Sequence, residues 1–209
     1  MIGSPGSGKT MLSKRLPSIL PDLSFKEALE ITKIHSIAGI LKENSIVYER
    51  PFRSPHHTIS ERGLIGGGKI PKPGEISLAH LGILFLDELL EFKKNTLEVL
   101  RGPMEDREVN ISRVGINVTY PSNFMLVASM NPCPCGYYGS KIRLCTCTEK
   151  QRNSYISKLS GPLLDRFDIQ IQVYPVNYEE LKNEKEETSE IIKERVNKAR
   201  NCLLYTSDA

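Results

Sequence analysis

The chain has 209 residues, 39% of them hydrophobic and 25% charged, a composition that suits a globular protein of one or two domains with enough apolar material for a core. A net charge of +3 is too small to imply nucleic-acid binding by itself, so any such contact has to come from local patches or from several subunits together. No apolar run approaches the roughly 20 residues of a membrane span and no export signal is visible; we therefore expect a cytoplasmic protein whose five cysteines are available for metal rather than disulfides.

The first element is a loop. Gly3, Ser4, Pro5, Gly6, Ser7, Gly8, Lys9 and Thr10 fit G-x-x-x-x-G-K-[ST] at every fixed position. Its glycines let backbone N–H groups turn toward phosphate oxygens. Lys9 would face the β- and γ-phosphates, and the Thr10 hydroxyl would bind Mg²⁺. A helix through Met11, Leu12 and Leu16 would add its positive N-terminal end. Only Met1 and Ile2 precede the loop, which normally follows a full buried strand. That leads us to expect a chain that begins inside a larger protein.

Ser24 followed by Glu27 reads as a capping box that opens a second helix, with Ala28, Leu29 and Ile31 on its apolar side. Residues 51–74 are rich in proline, glycine and basic side chains, and Gly66-Gly67-Gly68-Lys69 reads as a hairpin tip. His56 and His57 lie in this stretch and read as surface or pore residues rather than metal ligands. Ile83–Leu86 form a short continuous apolar run, the pattern of a buried parallel strand. At its end Asp87 would hold Mg²⁺ and Glu88 would act as general base toward water.

Val109–Val118 alternate around Gly115 and predict a second hairpin. Phe124–Ser129 predict another strand, which runs into Asn131. Alone, that Asn-Pro reads as a turn; beside a phosphate loop it could also orient water. Cys133, Cys135, Cys145 and Cys147 form two C-x-C pairs, a ligand set for tetrahedral Zn²⁺. Asp168–Val173 alternate and predict the last core strand. From Asn177 the chain reads as charged helix.

Taken together, these residues resemble an AAA+ ATPase. The phosphate loop resembles Walker A, "LFLDE" Walker B, Asn131 sensor 1, and "GPLLDRFD" the segment whose arginine finger would be Arg166. The resemblance is closer still to the ComM/YifB group of magnesium-chelatase-like AAA+ proteins, through "EALEITKIHSIAG", "RPFRSPHHTISERGLIGGG", "PKPGEISLAHLGILFLDEL", "VNISRVG" and "NPCPCGYYG". It implies an α/β P-loop NTPase core, a parallel sheet flanked by helices, with β-hairpin insertions and the start of a helical lid. The expected division is a core over 1–175 with its first strand truncated, a lid start over 176–201, and a non-native tail over 202–209. The resemblance further implies ATP and Mg²⁺, a homo-oligomeric ring, expected to be a hexamer, and action on DNA with no membrane. The two hairpins would then face a central pore, with Arg53, Lys69, Lys72 and Arg113 as contacts to DNA phosphates. The alternatives are an ATPase subunit of a metal chelatase and a nucleotide-gated scaffold that barely turns over.

Overall fold

The structure is a computed structural model that describes residues 1–41, 46–113, 115–140, 142–175 and 187–207. Helix α1 (Lys9–Ile19) starts directly from the glycine-rich loop, with Gly8 at its N-cap in the left-handed region (φ 81). Helix α2 (Phe25–Ala38) opens on the expected capping box: the Ser24 hydroxyl accepts from Glu27 N–H, and the Glu27 carboxylate accepts from Ser24 N–H at 2.7 Å. Ala28, Ile31 and Ile34 form its buried stripe, while Leu29 is exposed.

Strand β1 (Phe52–Arg53) is followed by α3 (Glu61–Ile65), then β2 (Gly66–Gly67) and β3 (Lys72–Pro73), which pair as the antiparallel hairpin expected around Lys69. Gly66 cannot be replaced without clash, since a Cβ there would lie 2.3 Å from the Lys72 carbonyl oxygen. Helix α4 (Glu75–Leu78) leads into β4 (Ile83–Leu86), whose four residues are all buried, as a continuous apolar run in a two-sided sheet requires. Helices α5 (Lys94–Glu98) and α6 (Arg101–Asp106) follow, then the antiparallel pair β5 (Glu108–Arg113) and β6 (Ile116–Pro121). Strand β7 (Met125–Ala128) comes next, and α7 (Glu149–Ile156), α8 (Gly161–Leu164) and α9 (Ser189–Ser207) complete the described chain.

The central sheet is parallel, in the order β1-β4-β7, with Ile83 opposite both Phe52 and Met125. Two single-residue bridges extend it: Ile2 pairs in parallel with Met130 on one side and with Gln172 on the other. Strand β7 therefore lies between β4 and the segment that enters the phosphate loop. The carboxyl ends of β4, β7 and the Ile2 segment open onto one edge, where parallel α/β sheets bind ligands. The core fills the layer between sheet and helices with Leu64, Ile76, Leu84, Leu86, Leu100 and Leu163, each essentially inaccessible.

One expectation changes here. Asp168–Val173 do not form a strand; the ladder is confined to Gln172, with Ile169 and Ile171 exposed at 76% and 52%. The pairing is a single bridge, with Ile2 N–H donating to Ile171 O and Val173 N–H to Ile2 O, both at 2.8 Å. Helix α9 runs on past Arg200 to Ser207. The start of the charged helix expected from Asn177 lies outside the described residues.

Candidate active site

A cavity of about 500 Å³ opens at the carboxyl edge of the sheet, lined by Pro5 to Met11, Asp87, Glu88 and Ser129 to Asn131. That size suits a small ligand. Each wall comes from a different segment: the loop before α1, the end of β4 and the end of β7.

Lys9 Nζ donates to the carbonyl oxygens of Gly3 (2.8 Å) and Ser4 (2.9 Å) and approaches Asn131 Oδ1 at 3.5 Å. Burial lowers its pKa, while the Asp87 and Glu88 carboxylates act in the opposite sense. Thr10 Oγ1 donates to Asp87 Oδ2 at 2.6 Å. The other Asp87 oxygen accepts from Ser129 Oγ and, at 3.1 Å, from Glu88 N–H. Asp87 is thereby fixed by three donors with its charge facing Thr10. Ser7 Oγ is buried without a hydrogen-bond partner among the described residues, a polar atom left for a ligand inside the loop. Gly6 and Gly8 both lie in the left-handed region (φ 77 and 81), which a Cβ would disfavour by about 1–2 kcal/mol. The donor set of one hydroxyl and one carboxylate beside a lysine fits Mg²⁺ on a phosphate chain.

Glu88 is itself left-handed (φ 53, ψ 50) and caps the short 3₁₀ turn Leu89–Glu91. Strain of this kind in a non-glycine residue gathers at functional sites. Its carboxylate lies 3.5 Å from His57 Nδ1, and the His57 ring meets Phe92 edge-on. His57 and Ser129 were not singled out from the sequence as parts of this site. The parallel register places His57 there: it lies four residues beyond Arg53, as Glu88 lies four beyond Leu84, and Arg53 and Leu84 are paired.

The remaining sequence candidates separate. Arg166 lies outside the cavity lining and pairs with Glu105 on α6, not with Asp165 or Asp168. Arg53 is held by Glu75 through two 2.7 Å hydrogen bonds, which raise its pKa. Lys69 and Lys72 are exposed and, like Arg113, form no ion pair among the described residues. The two hairpins meet: a Cβ on Gly67 would lie 3.3 Å from Arg62 Nε and 3.5 Å from Arg113 Nη2, and Tyr120 OH donates to Pro71 O at 2.8 Å. Arg62 thus joins a basic patch that sequence spacing did not reveal. The four cysteine sulfurs Cys133, Cys135, Cys145 and Cys147 lie within 4.8 Å of one another.

A parallel sheet flanked by helices, with a glycine-rich phosphate loop at its carboxyl edge facing Asp87, defines a P-loop NTPase core. The chain belongs to the magnesium-chelatase family: the family described as "Magnesium chelatase, subunit ChlI" matches residues 1–181. It is 51% identical to "Uncharacterized protein YifB" of Escherichia coli, over 83% of this chain and 34% of that protein. It is 45% identical to "Competence protein ComM" of Haemophilus influenzae, over 97% of this chain and 40% of that protein. A more distant relative is the "Magnesium-chelatase 38 kDa subunit" of Rhodobacter capsulatus, 25% identical over 63% of this chain and 42% of that protein. The chain thus spans about two-fifths or less of the length of the YifB and ComM proteins it matches. No described helix is long and apolar enough to cross a membrane.

Proposed function

We propose that the chain is the ATP-hydrolysing core of a ring-forming motor that acts on DNA. The observation that carries the ATPase reading is the convergence of Lys9, Thr10, Asp87 and Glu88 on one cavity. Lys9 would leave its loop carbonyls to face the β- and γ-phosphates. Thr10 and Asp87 would hold Mg²⁺, which supplies charge neutralisation to the phosphate oxygens. Glu88 would take a proton from water as the water oxygen bonds to the γ-phosphorus and ADP leaves, with Asn131 orienting that water. Arg166, outside its own cavity, would complete the site of a neighbouring copy in a closed head-to-tail ring, expected to be a hexamer. Zn²⁺ on the cysteine quartet would be structural and take no part in the reaction.

The DNA reading is supported by Lys69, Lys72 and Arg113 on the two joined hairpins, with Arg62 of α3 beside them. It is also supported by the higher identity to the competence protein than to the chelatase subunit. The test is ATP hydrolysis by the purified protein with and without DNA. Stimulation by DNA at low salt, lost as salt rises, supports a DNA motor. Hydrolysis indifferent to DNA favours a chelatase-type subunit, and absence of turnover favours a scaffold.

A further inference from the structure

The chain from Asn131 to Thr148 has a second centre of chemistry, next to the nucleotide cavity but outside its lining. Cys133 follows closely on Asn131, and Cys147 directly precedes Thr148, whose capping box opens α7. The sulfur–sulfur distances are 3.4 Å for Cys133–Cys135, 3.7 Å for Cys133–Cys145 and 3.6 Å for Cys135–Cys145. A tetrahedral ion with Zn–S bonds of about 2.3 Å sets sulfur–sulfur edges of about 3.8 Å, so these three edges fit one such ion, and Cys147 Sγ lies within 4.8 Å of the other three.

The backbone is arranged for thiolates. Tyr138 N–H donates to Cys133 Sγ at 3.3 Å, Cys135 N–H to Cys147 Sγ at 3.4 Å, and Cys147 N–H to Cys145 Sγ at 3.4 Å. Outer hydrogen bonds of this kind orient metal ligands and spread their charge. Four thiolates around one dication leave a net charge of about −2. Arg152 sits beside it, donating to Cys147 O at 2.6 Å and lying over the Tyr138 ring, and Arg143 lies over Tyr137.

The same loop touches the phosphate loop. Gly136, in the left-handed region (φ 85), closes the first cysteine turn by donating to Cys133 O at 2.9 Å. A Cβ at Gly136 would lie 2.7 Å from Pro5 Cδ and 3.8 Å from Asn131 Cγ. The cysteine turn is therefore packed against the ring of Pro5, inside the phosphate loop, with no room to spare.

We infer that Cys133, Cys135, Cys145 and Cys147 bind one Zn²⁺, and that this ion braces the phosphate loop through the contact between Gly136 and Pro5. The ion joins two arms that no strand or helix connects among the described residues, and so fixes the turn that abuts the loop. The bracing half rests on reading residues 3–10 as a phosphate loop, so its readout is independent of nucleotide.

Metal content of the purified protein is measured first, and about one zinc per chain is expected. The protein is then stripped with a chelator under reducing conditions and reloaded with Zn²⁺, and amide hydrogen exchange is followed at residues 3–8. Exchange should rise about fivefold or more on stripping and fall on reloading. Gly136→Ala should keep its zinc and still show the faster exchange, which separates the contact from the folding of the cysteine loop. Metal-free protein, or iron in place of zinc, would overturn the site. Zinc present with exchange at residues 3–8 unchanged by its removal would overturn the brace. A zinc-loaded protein that shows the exchange effect but binds no ATP would sustain the brace and count against the ATP reading alone.

Discussion

Thr10 and Asp87, 77 positions apart in the chain, are joined by a 2.6 Å hydrogen bond from the threonine hydroxyl to the carboxylate. The bond exists because β7 and the Ile2 bridge bring the start of α1 beside the end of β4. Two oxygens of opposite origin then face one point, which is what a small, hard cation on a phosphate chain requires.

Thr10→Ala and Asp87→Asn should therefore both blunt the dependence of ATP turnover on Mg²⁺. Each removes an oxygen ligand or its charge, and turnover should fall about a hundredfold. A titration of rate against Mg²⁺ checks this; a midpoint unchanged in both variants would move the cation elsewhere.

His57 stands 3.5 Å from the Glu88 carboxylate and does not line the cavity. It would position Glu88 rather than touch phosphate. His57→Ala should leave ATP affinity within about twofold while turnover falls by up to a hundredfold, the scale of a misplaced catalytic group. Equal losses in affinity and turnover would argue for a direct contact instead.

Local motifs made the phosphate loop, Asp87, Glu88 and the buried strand Ile83–Leu86 legible, because each depends on neighbours within a few residues. The capping box at Ser24 and both hairpins were legible for the same reason. His57, Ser129 and the Arg62–Arg113 patch were not, since each is brought into place by strand register or by one hairpin lying on another. The pairing of Arg53 with Glu75 was not legible either, since Glu75 lies 22 residues away and only the fold brings the two together. The segment Asp168–Val173 alternates like a strand, yet alternation cannot report that its pairing stops at one bridge.

Stability should fall as pH drops below neutrality. Asn123 N–H donates to His80 Nδ1 at 3.1 Å, which requires an unprotonated nitrogen, and burial lowers the His80 pKa ahead of the opposing Glu30 carboxylate. The unfolded chain takes up the proton first, near the ordinary value of about 6.5. The contribution is therefore intact above that pH and declines as pH falls through and below it. Urea unfolding at pH 7.5 and 5.5 should show the loss, and His80→Gln should show a shallower one. An identical loss in the variant would place the effect elsewhere.

Arg166→Ala should leave ATP binding nearly intact, because Arg166 lies outside its own cavity and pairs with Glu105. As an arginine reaching a neighbour's γ-phosphate, its loss should lower turnover by about a thousandfold. Mixing it with Lys9→Ala subunits should restore part of the activity, since one subunit keeps the site and the other keeps the arginine. Rings that form but show no recovery at any ratio would contradict action in trans.

The central claim is that this cavity binds ATP through the phosphate loop and hydrolyses it with Glu88 as base. Its most direct measurement is equilibrium ATP binding alongside turnover in Glu88→Gln, with Lys9→Ala as reference. The account predicts that Glu88→Gln binds ATP with near wild-type affinity and does not turn it over, because the amide cannot accept the proton, while Lys9→Ala fails to bind. Turnover that survives in Glu88→Gln, or ATP affinity unchanged within about twofold in Lys9→Ala, would contradict it.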